Sequence, residues 1–246
     1  MVGGGRPMTF VLVHGGGHGG WCWQRTARVL RHHGHEVWTP TLTGFGERHH
    51  LDHGQVTFAT FVTDIGAVLE FEDLHDVVLV GHSMSGVVVP RVAEAFPGRI
   101  GKVVWMAAVV LNDGETITEA VPAPSPAVQR SFVLEPDGTI RTDSALMIAA
   151  LVSDGTPEER AWVLARYRSY PQAALLEPGR LSNYLELGIP SGYVAASNDA
   201  VFSSELARTF ASRLTGAQFA EVEAGHDLMI TRPAATAAAL LEVSEA

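Results

Sequence analysis

A serine at 83, an aspartate at 199 and a histidine at 226 occur in that order along a chain of 246 residues, and together such groups can break an acyl bond. Ser83 lies in Gly81-His-Ser-Met-Ser-Gly86, directly behind the apolar run Val77-Val-Leu-Val80. A serine on a sharp strand-to-helix turn is pushed above the sheet edge beside a helix N-terminus, which is where a nucleophilic hydroxyl is useful. One position departs from the common Gly-x-Ser-x-Gly spacing: the fifth residue is Ser85, and the glycine follows one later at Gly86. Serine is small enough for strand and helix to approach there. A lone hydroxyl is a weak nucleophile, so it needs a base within hydrogen-bond reach and a third group to orient that base. His226, in Glu223-Ala-Gly-His-Asp227, is the candidate base. Asp199, in Ala196-Ser-Asn-Asp-Ala-Val-Phe202, is the candidate orienting acid. Asp113 is its rival, since it too follows a strand, but Asp199 is favoured because it lies 27 residues, one strand and one helix, ahead of His226.

Acyl transfer also requires donors for the oxyanion that forms at the attacked carbonyl. The backbone N–H after the nucleophile, that of Met84, supplies one. The glycine loop His14-Gly-Gly-Gly-His-Gly-Gly20 behind the first strand supplies the other, assigned to Gly16. Gly15, Gly17 and Gly20 also match the spacing G-x-G-x-x-G of a dinucleotide loop. The next strand nevertheless closes on Trp38-Thr-Pro40 without the acidic residue that a ribose would require, which disfavours that alternative.

These groups need a scaffold that brings them together, and the alternation of short β-rich runs with longer helical patterns is the signature of β-α-β units around a mostly parallel sheet, the α/β class. Strands are expected at Thr9 to Val13, Glu36 to Thr39, Asp76 to Val80, Lys102 to Ala107, Gly192 to Ala196 and Gln218 to Val222. Several are apolar on both faces, as strands sandwiched between helix layers must be. Helices are expected at Trp21 to His33, Phe58 to Phe71, Met84 to Phe96, Ser204 to Leu214 and Ala234 to Val243. Pro90, placed past the first turn of its helix, should remove a hydrogen bond and kink it.

The rhythm breaks from Leu111 to Tyr184, where no convincing buried strand occurs. This stretch holds Pro122, Pro124 and Pro126, a hairpin turning at Pro136-Asp-Gly138, and helical patterns at Ser144 to Val152 and Pro157 to Tyr167. The first of those helices is almost wholly apolar, so something must cover it. The reading is a core made of residues 1–110 and 185–246, with residues 111–184 inserted as a lid over the carboxyl edge of the sheet.

Composition bounds the remaining choices. With 17 Lys+Arg against 27 Asp+Glu the formal charge is −10, and no basic run marks a phosphate-binding surface, so nucleic acid is not an expected partner. The longest apolar run, Val103 to Leu111, has 9 residues, well short of the roughly 20 that cross a bilayer. The first residues lack the apolar core of a signal peptide, and the single cysteine, Cys22, cannot form an internal disulfide; both point to the cytoplasm. Only Lys102 among the cations is a lysine, and Ala, Gly and Val abound, as in a GC-rich bacterial gene.

The run His14-Gly-Gly-Gly-His-Gly-Gly-Trp-Cys-Trp23, the turn around Ser83, Asp199-x-x-Phe202 and Gly225-His226 together resemble the α/β-hydrolase superfamily. The likeness is greatest to the branch holding plant methyl esterases, hydroxynitrile lyases and bacterial esterases. It covers the chain outside residues 111–184 and implies a Ser83–His226–Asp199 triad, amides of Gly16 and Met84 as the oxyanion hole, a lid, and no cofactor. Lyases of this branch carry a threonine where Gly15 stands and a lysine where Asp227 stands, so the resemblance favours hydrolysis of carboxylic esters or lactones. A lyase, a C–C hydrolase or a tailoring enzyme on the same fold is the alternative, and a ligand-binding receptor with a vestigial triad is a third reading. Asp227 also replaces the apolar residue of the plant esterases.

A small-molecule ester of small to medium size is the expected partner, and a homodimer is left open. Gly15, His18, Phe132, Leu146, Met147, Leu151, Trp162 and Leu228 are the candidate substrate-binding residues, and they would make a mainly apolar pocket. His18 is read as ordering the oxyanion loop in preference to touching substrate. Arg130, Arg166 and Arg168 are read as solvated. His32, His33, His35, His49, His50 and His53 lack metal-ligand spacing and are read as a solvated face. Trp21 and Trp23 should anchor the helix that follows them, and Cys22 should be inert.

Overall fold

Nine β-branched or aromatic runs form strands in the computed structural model, which describes residues 6–51, 53–121 and 132–245. They are β1 (Thr9–Val13), β2 (Glu36–Trp38), β3 (Val77–His82), β4 (Ile100–Met106), β5 (Val133–Leu134), β6 (Thr139–Arg141), β7 (Tyr170–Pro171), β8 (Ser191–Ala196) and β9 (Gln218–Val222). Six of them make one sheet in the order β2-β1-β3-β4-β8-β9, every neighbouring pair parallel. The helices are α1 (Gln24–His32), α2 (Phe58–Phe71), α3 (Val88–Ala95), α4 (Ile117–Ala120), α5 (Ser144–Leu151), α6 (Pro157–Leu164), α7 (Ala173–Leu176), α8 (Leu181–Glu186), α9 (Ser204–Ser212), α10 (Leu228–Thr231) and α11 (Pro233–Glu245).

Side chains alternate between the two faces of a strand, so a parallel sheet covered on both sides needs two apolar layers. Val11, Leu79, Val103, Trp105 and Tyr193 pack with α2, α3, α8 and α9 in one layer. Phe10, Leu12, Val80, Val104, Met106 and Val194 pack with α1 and α11 in the other. In α1 the buried positions Thr26, Ala27 and Leu30 form a single stripe, leaving Arg28 and Arg31 outside.

The segment between β4 and β8 joins both layers. Met147, Ile148 and Leu151 of α5 and Val163 of α6 bury themselves in the α1–α11 layer, whereas Ile140 and Tyr170 belong to the other. The covering that the apolar α5 demands is therefore supplied by the main core. Its helices start on strong local signals: Asp143 accepts from the Leu146 amide at 3.1 Å, and Thr156 and Glu159 form a reciprocal cap with Pro157 in the first turn. The hairpin turns at Gly138, whose φ of +79° suits glycine. It gains a buried third strand, β7, which pairs with β6. Two residues, one of them a proline, carry too little periodicity to announce a strand. Pro122, Pro124, Pro126 and Arg130 lie outside the described residues.

Two expectations are corrected. After Ser83 the chain makes a tight 3-10 turn to Gly86, and α3 begins only at Val88. Pro90 thus falls within the first turn, where a backbone N–H has no partner to lose, so it does not interrupt the helix. His35 is not on a solvated face: it is buried, edge-on to the Phe10 ring, and its Nδ1 accepts from the Met8 amide at 3.2 Å.

Gly86 explains the displaced glycine of the turn. A Cβ there would stand 2.0 Å from the carbonyl oxygen of Val109, a backbone atom that cannot step aside. Gly86→Ala is expected to cost about 3 kcal/mol and to lower Tm by roughly 6–12 °C. Gly98→Ala, with nothing within 4 Å of the added carbon, is the matched control, and an unshifted Tm for Gly86→Ala would refute the packing argument.

Candidate active site

Strand register brings the distant segments together. Val13 of β1 lies opposite Gly81 of β3, so two residues further on Gly15 must stand beside Ser83. A Cβ on Gly15 would meet the Cβ of Ser83 at 2.9 Å, which is why the loop passes there as glycine. On the other side, Ala196 of β8 pairs with Val222 of β9. The Ser197 and Asn198 amides extend that pairing to the carbonyls of Val222 and Ala224 at 2.9 and 3.0 Å. This extension delivers Asp199 and His226 to the same edge of the sheet.

There the three side chains form one continuous hydrogen-bonded line. The Ser83 hydroxyl donates to His226 Nε2 at 2.8 Å, and His226 Nδ1–H donates to Asp199 Oδ2 at 2.7 Å. The other oxygen of Asp199 accepts from the amides of Val201 and Phe202 at 2.7 and 3.0 Å, which locks the carboxylate's orientation. Ser83 has φ +53°, the strained left-handed region that lifts its hydroxyl clear of the sheet. Burial alone would push the His226 imidazole down. The charge and hydrogen bond of Asp199, aided by Asp227, reverse this and hold it above its ordinary value.

A second histidine backs the first. The His82 ring lies 4.9 Å from that of His226, and its Nε2 donates to the His226 carbonyl at 3.1 Å. Burial, and then the charge of His226, push its imidazole well below the usual range. His82 therefore stays neutral and does not compete with His226 for a proton.

The Gly16 amide belongs to a peptide whose carbonyl, that of Gly15, is held on the opposite side. His14 Nδ1–H donates to that carbonyl at 2.8 Å, while its Nε2 accepts from the Leu42 amide at 3.1 Å. These two bonds set the tautomer of His14, and burial, pushing its pKa down to about 3, keeps the ring neutral. In a trans peptide the N–H of Gly16 points away from the Gly15 oxygen, so His14 orients the candidate oxyanion donor. Ser85 has more to do than be small: its hydroxyl donates to the His14 carbonyl and ties the serine turn to the same loop. Tyr167 and Tyr170 cover the loop, with the Tyr170 ring 3.1 Å from where a Gly16 Cβ would be and the Tyr167 ring 2.1 Å from that of Gly17. Under two tyrosines the glycine run offers no open cradle for a phosphate.

Asp113 does not approach His226. It is exposed and accepts from the Ser182 amide at 3.0 Å. Among the candidate substrate-binding residues, Gly15 touches Ser83, and Met147, Leu151 and Leu228 share one buried cluster. Leu146 is half-buried and Phe132 is 40% exposed. Trp162 packs edge-on against Trp21 at 5.1 Å under the Arg166 guanidinium, beside an outer cavity of about 430 Å³ that Arg31, Thr39 and Glu47 also line. His18 is buried with its Nδ1 donating to the Gly16 carbonyl at 2.7 Å. Trp23 is fully buried ahead of α1, and burial, then Asp227, raise the Cys22 thiol well above its usual range. His50 Nδ1 lies 3.1 Å from the Glu47 carbonyl, and the His53 side chain lies outside what is described. Among the described residues no group of three or more His, Cys, Asp or Glu is placed to hold a metal ion, and no helix is long and apolar enough to cross a membrane.

Sequence reading did not anticipate the roles of His14, His82, Ser85, Tyr167 and Tyr170. His14 and His82 each precede a turn residue already singled out, and that adjacency was the available signal. The two tyrosines carry none, because their partners are more than 100 residues away.

Known proteins resemble the chain in sequence and in fold. A family model described as "Alpha/beta hydrolase family" matches residues 10–239. A carbendazim hydrolyzing esterase of Nocardioides sp. (strain SG-4G) is 44% identical over 125 residues, 50% of this chain and 52% of that protein. Putative methylesterase 11, chloroplastic, of Arabidopsis thaliana is 29% identical over 185 residues, 71% of this chain and 47% of its own length. The chain thus spans about half the length of these curated relatives. An extracellular alpha/beta-hydrolase from a Paenibacillus species, described as sharing structural and functional homology with tobacco salicylic acid binding protein 2, superposes with a TM-score of 0.86 at 26% identity. That match covers 96% of this chain and 99% of the other.

Proposed function

Because the chain belongs to the alpha/beta hydrolase family, we propose that it hydrolyses carboxylic esters or lactones through an acyl-enzyme on Ser83. The observation that carries this reading is the unbroken line from the Ser83 hydroxyl through His226 to Asp199, built on a strained turn. His226 takes the hydroxyl proton as the oxygen attacks the carbonyl carbon, then returns it to the departing alcohol oxygen. The amides of Gly16 and Met84 hold the oxyanion. Water, deprotonated by His226, then cleaves the acyl-enzyme and releases the acid. Residues 111–184 act as a lid, and the apolar cluster that buries Met147, Leu151 and Leu228 together favours a small to medium hydrophobic ester. The relatives named esterase and methylesterase support an ester as the bond broken.

Incubation with a fluorophosphonate followed by peptide mass spectrometry tests the assignment. A single adduct on Ser83 is expected; an adduct on another serine, or none, would overturn it.

A further inference from the structure

We infer that His18 and Asp227 form a clamp that holds the catalytic base at a set distance from the oxyanion loop, which makes them positioning residues for the hydrolysis proposed above. The inference rests on that reading. Asp227 is covalently next to His226, and its Oδ2 lies 3.0 Å from His18 Nε2. The opposite nitrogen of His18 donates to the Gly16 carbonyl at 2.7 Å. A third tie runs outward: the Asp227 amide donates to the Leu151 carbonyl at the end of α5 at 2.9 Å. One residue thus connects the base, the oxyanion loop and the helix that covers them.

The chemistry of the pair is constrained. Both nitrogens of His18 face oxygen acceptors, so a full set of bonds needs a proton on each nitrogen when Asp227 is ionised. Burial alone would raise the Asp227 carboxyl. The charge and hydrogen bond of His18, with the charge of His226 beyond it, hold it below the usual carboxylate range. Both side chains are buried, at 1% and 0% exposure. Trp21 stacks on His18 at 5.3 Å, and the rings of Tyr167 and His82 stand edge-on to it at 6.0 and 6.2 Å. Asp227 Oδ1 has no hydrogen-bond partner among the described residues. Such a pair recovers little of its desolvation cost, so stability is a poor reason for its presence. Geometry is a better one, since a misplacement of about 1 Å at a reacting centre can cost two orders of magnitude in rate.

The test measures kcat and KM on p-nitrophenyl acetate, with kcat divided by the number of sites titrated by a fluorophosphonate, so that misfolded protein does not count. Asp227→Ala and His18→Ala are each expected to lower kcat per titrated site by about 10- to 100-fold with KM changed by less than about threefold. The double variant should be no slower than the worse single one, because both cut the same link. Asp227→Asn should recover most of the loss, since its amide can donate to a neutral His18. If single variants lose titratable sites but keep the parent's kcat per site, or if their effects multiply, the clamp is overturned and the hydrolase reading stands. If the parent itself neither turns over the ester nor labels at Ser83, both fall.

Discussion

Replacing Ser83 by alanine is expected to lower kcat on a carboxylic ester by a factor on the order of 10⁵–10⁶, with the fold intact. The hydroxyl is the only group removed, and without it no acyl-enzyme can form. His226, Asp199 and the loop amides remain and should leave a small residual rate above that of water. Alanine at φ +53° carries the same backbone strain as serine, so Tm should move little. Ser83→Gly should be as inactive and more stable, because glycine adopts that conformation without a clash. Initial rates, Tm and fluorophosphonate labelling on the three proteins check these outcomes together. Turnover of Ser83→Ala near the parent's rate would exclude Ser83 as nucleophile.

Asp199→Asn is expected to cost about 10⁴ in kcat. Asp199 Oδ1 accepts two backbone N–H groups, from Val201 and Phe202. An asparagine must keep its oxygen there, which turns its NH₂ towards His226. Nδ1 then has to accept instead of donate, the proton moves to Nε2, and the imidazole presents a donor to the serine it should deprotonate. The pH profile provides a second readout. A general base works only when neutral, so activity falls as pH drops through its pKa. With His226 held above its ordinary value, the parent's acid limb should have its midpoint above the usual histidine value of roughly 6.5. In Asp199→Asn the supporting charge is gone and the limb should move to lower pH. Asp113→Asn, altering an exposed carboxylate bonded to Ser182, should leave both kcat and profile within about twofold. The opposite pattern would reassign the acid.

Much of the architecture was legible because parallel strands buried on both faces must be apolar throughout and are separated by helices of recognisable period. Strands β1 and β9 and helix α2 have the limits expected from sequence. The start of α3 was not legible: a tight turn after Ser83 displaces it, and Pro90 then takes a place in the first turn that its composition alone does not reveal. The third strand of the small sheet was missed for a different reason, since Tyr170–Pro171 is a strand only because β6 lies beside it.

By itself the sequence determined which groups had the chemistry: a serine, histidine and aspartate in a meaningful order, and a glycine loop behind the first strand. Those are properties of residue type and near neighbours, which a chain displays locally. Only the tertiary structure decided that Gly15 passes against the Ser83 side chain, that His14 orients Gly16, that Ser85 ties two loops, and that Asp227 reaches across 209 residues of chain to His18. Register, burial and the direction of a hydrogen bond depend on which strands lie side by side, and that adjacency exists only once the sheet has formed.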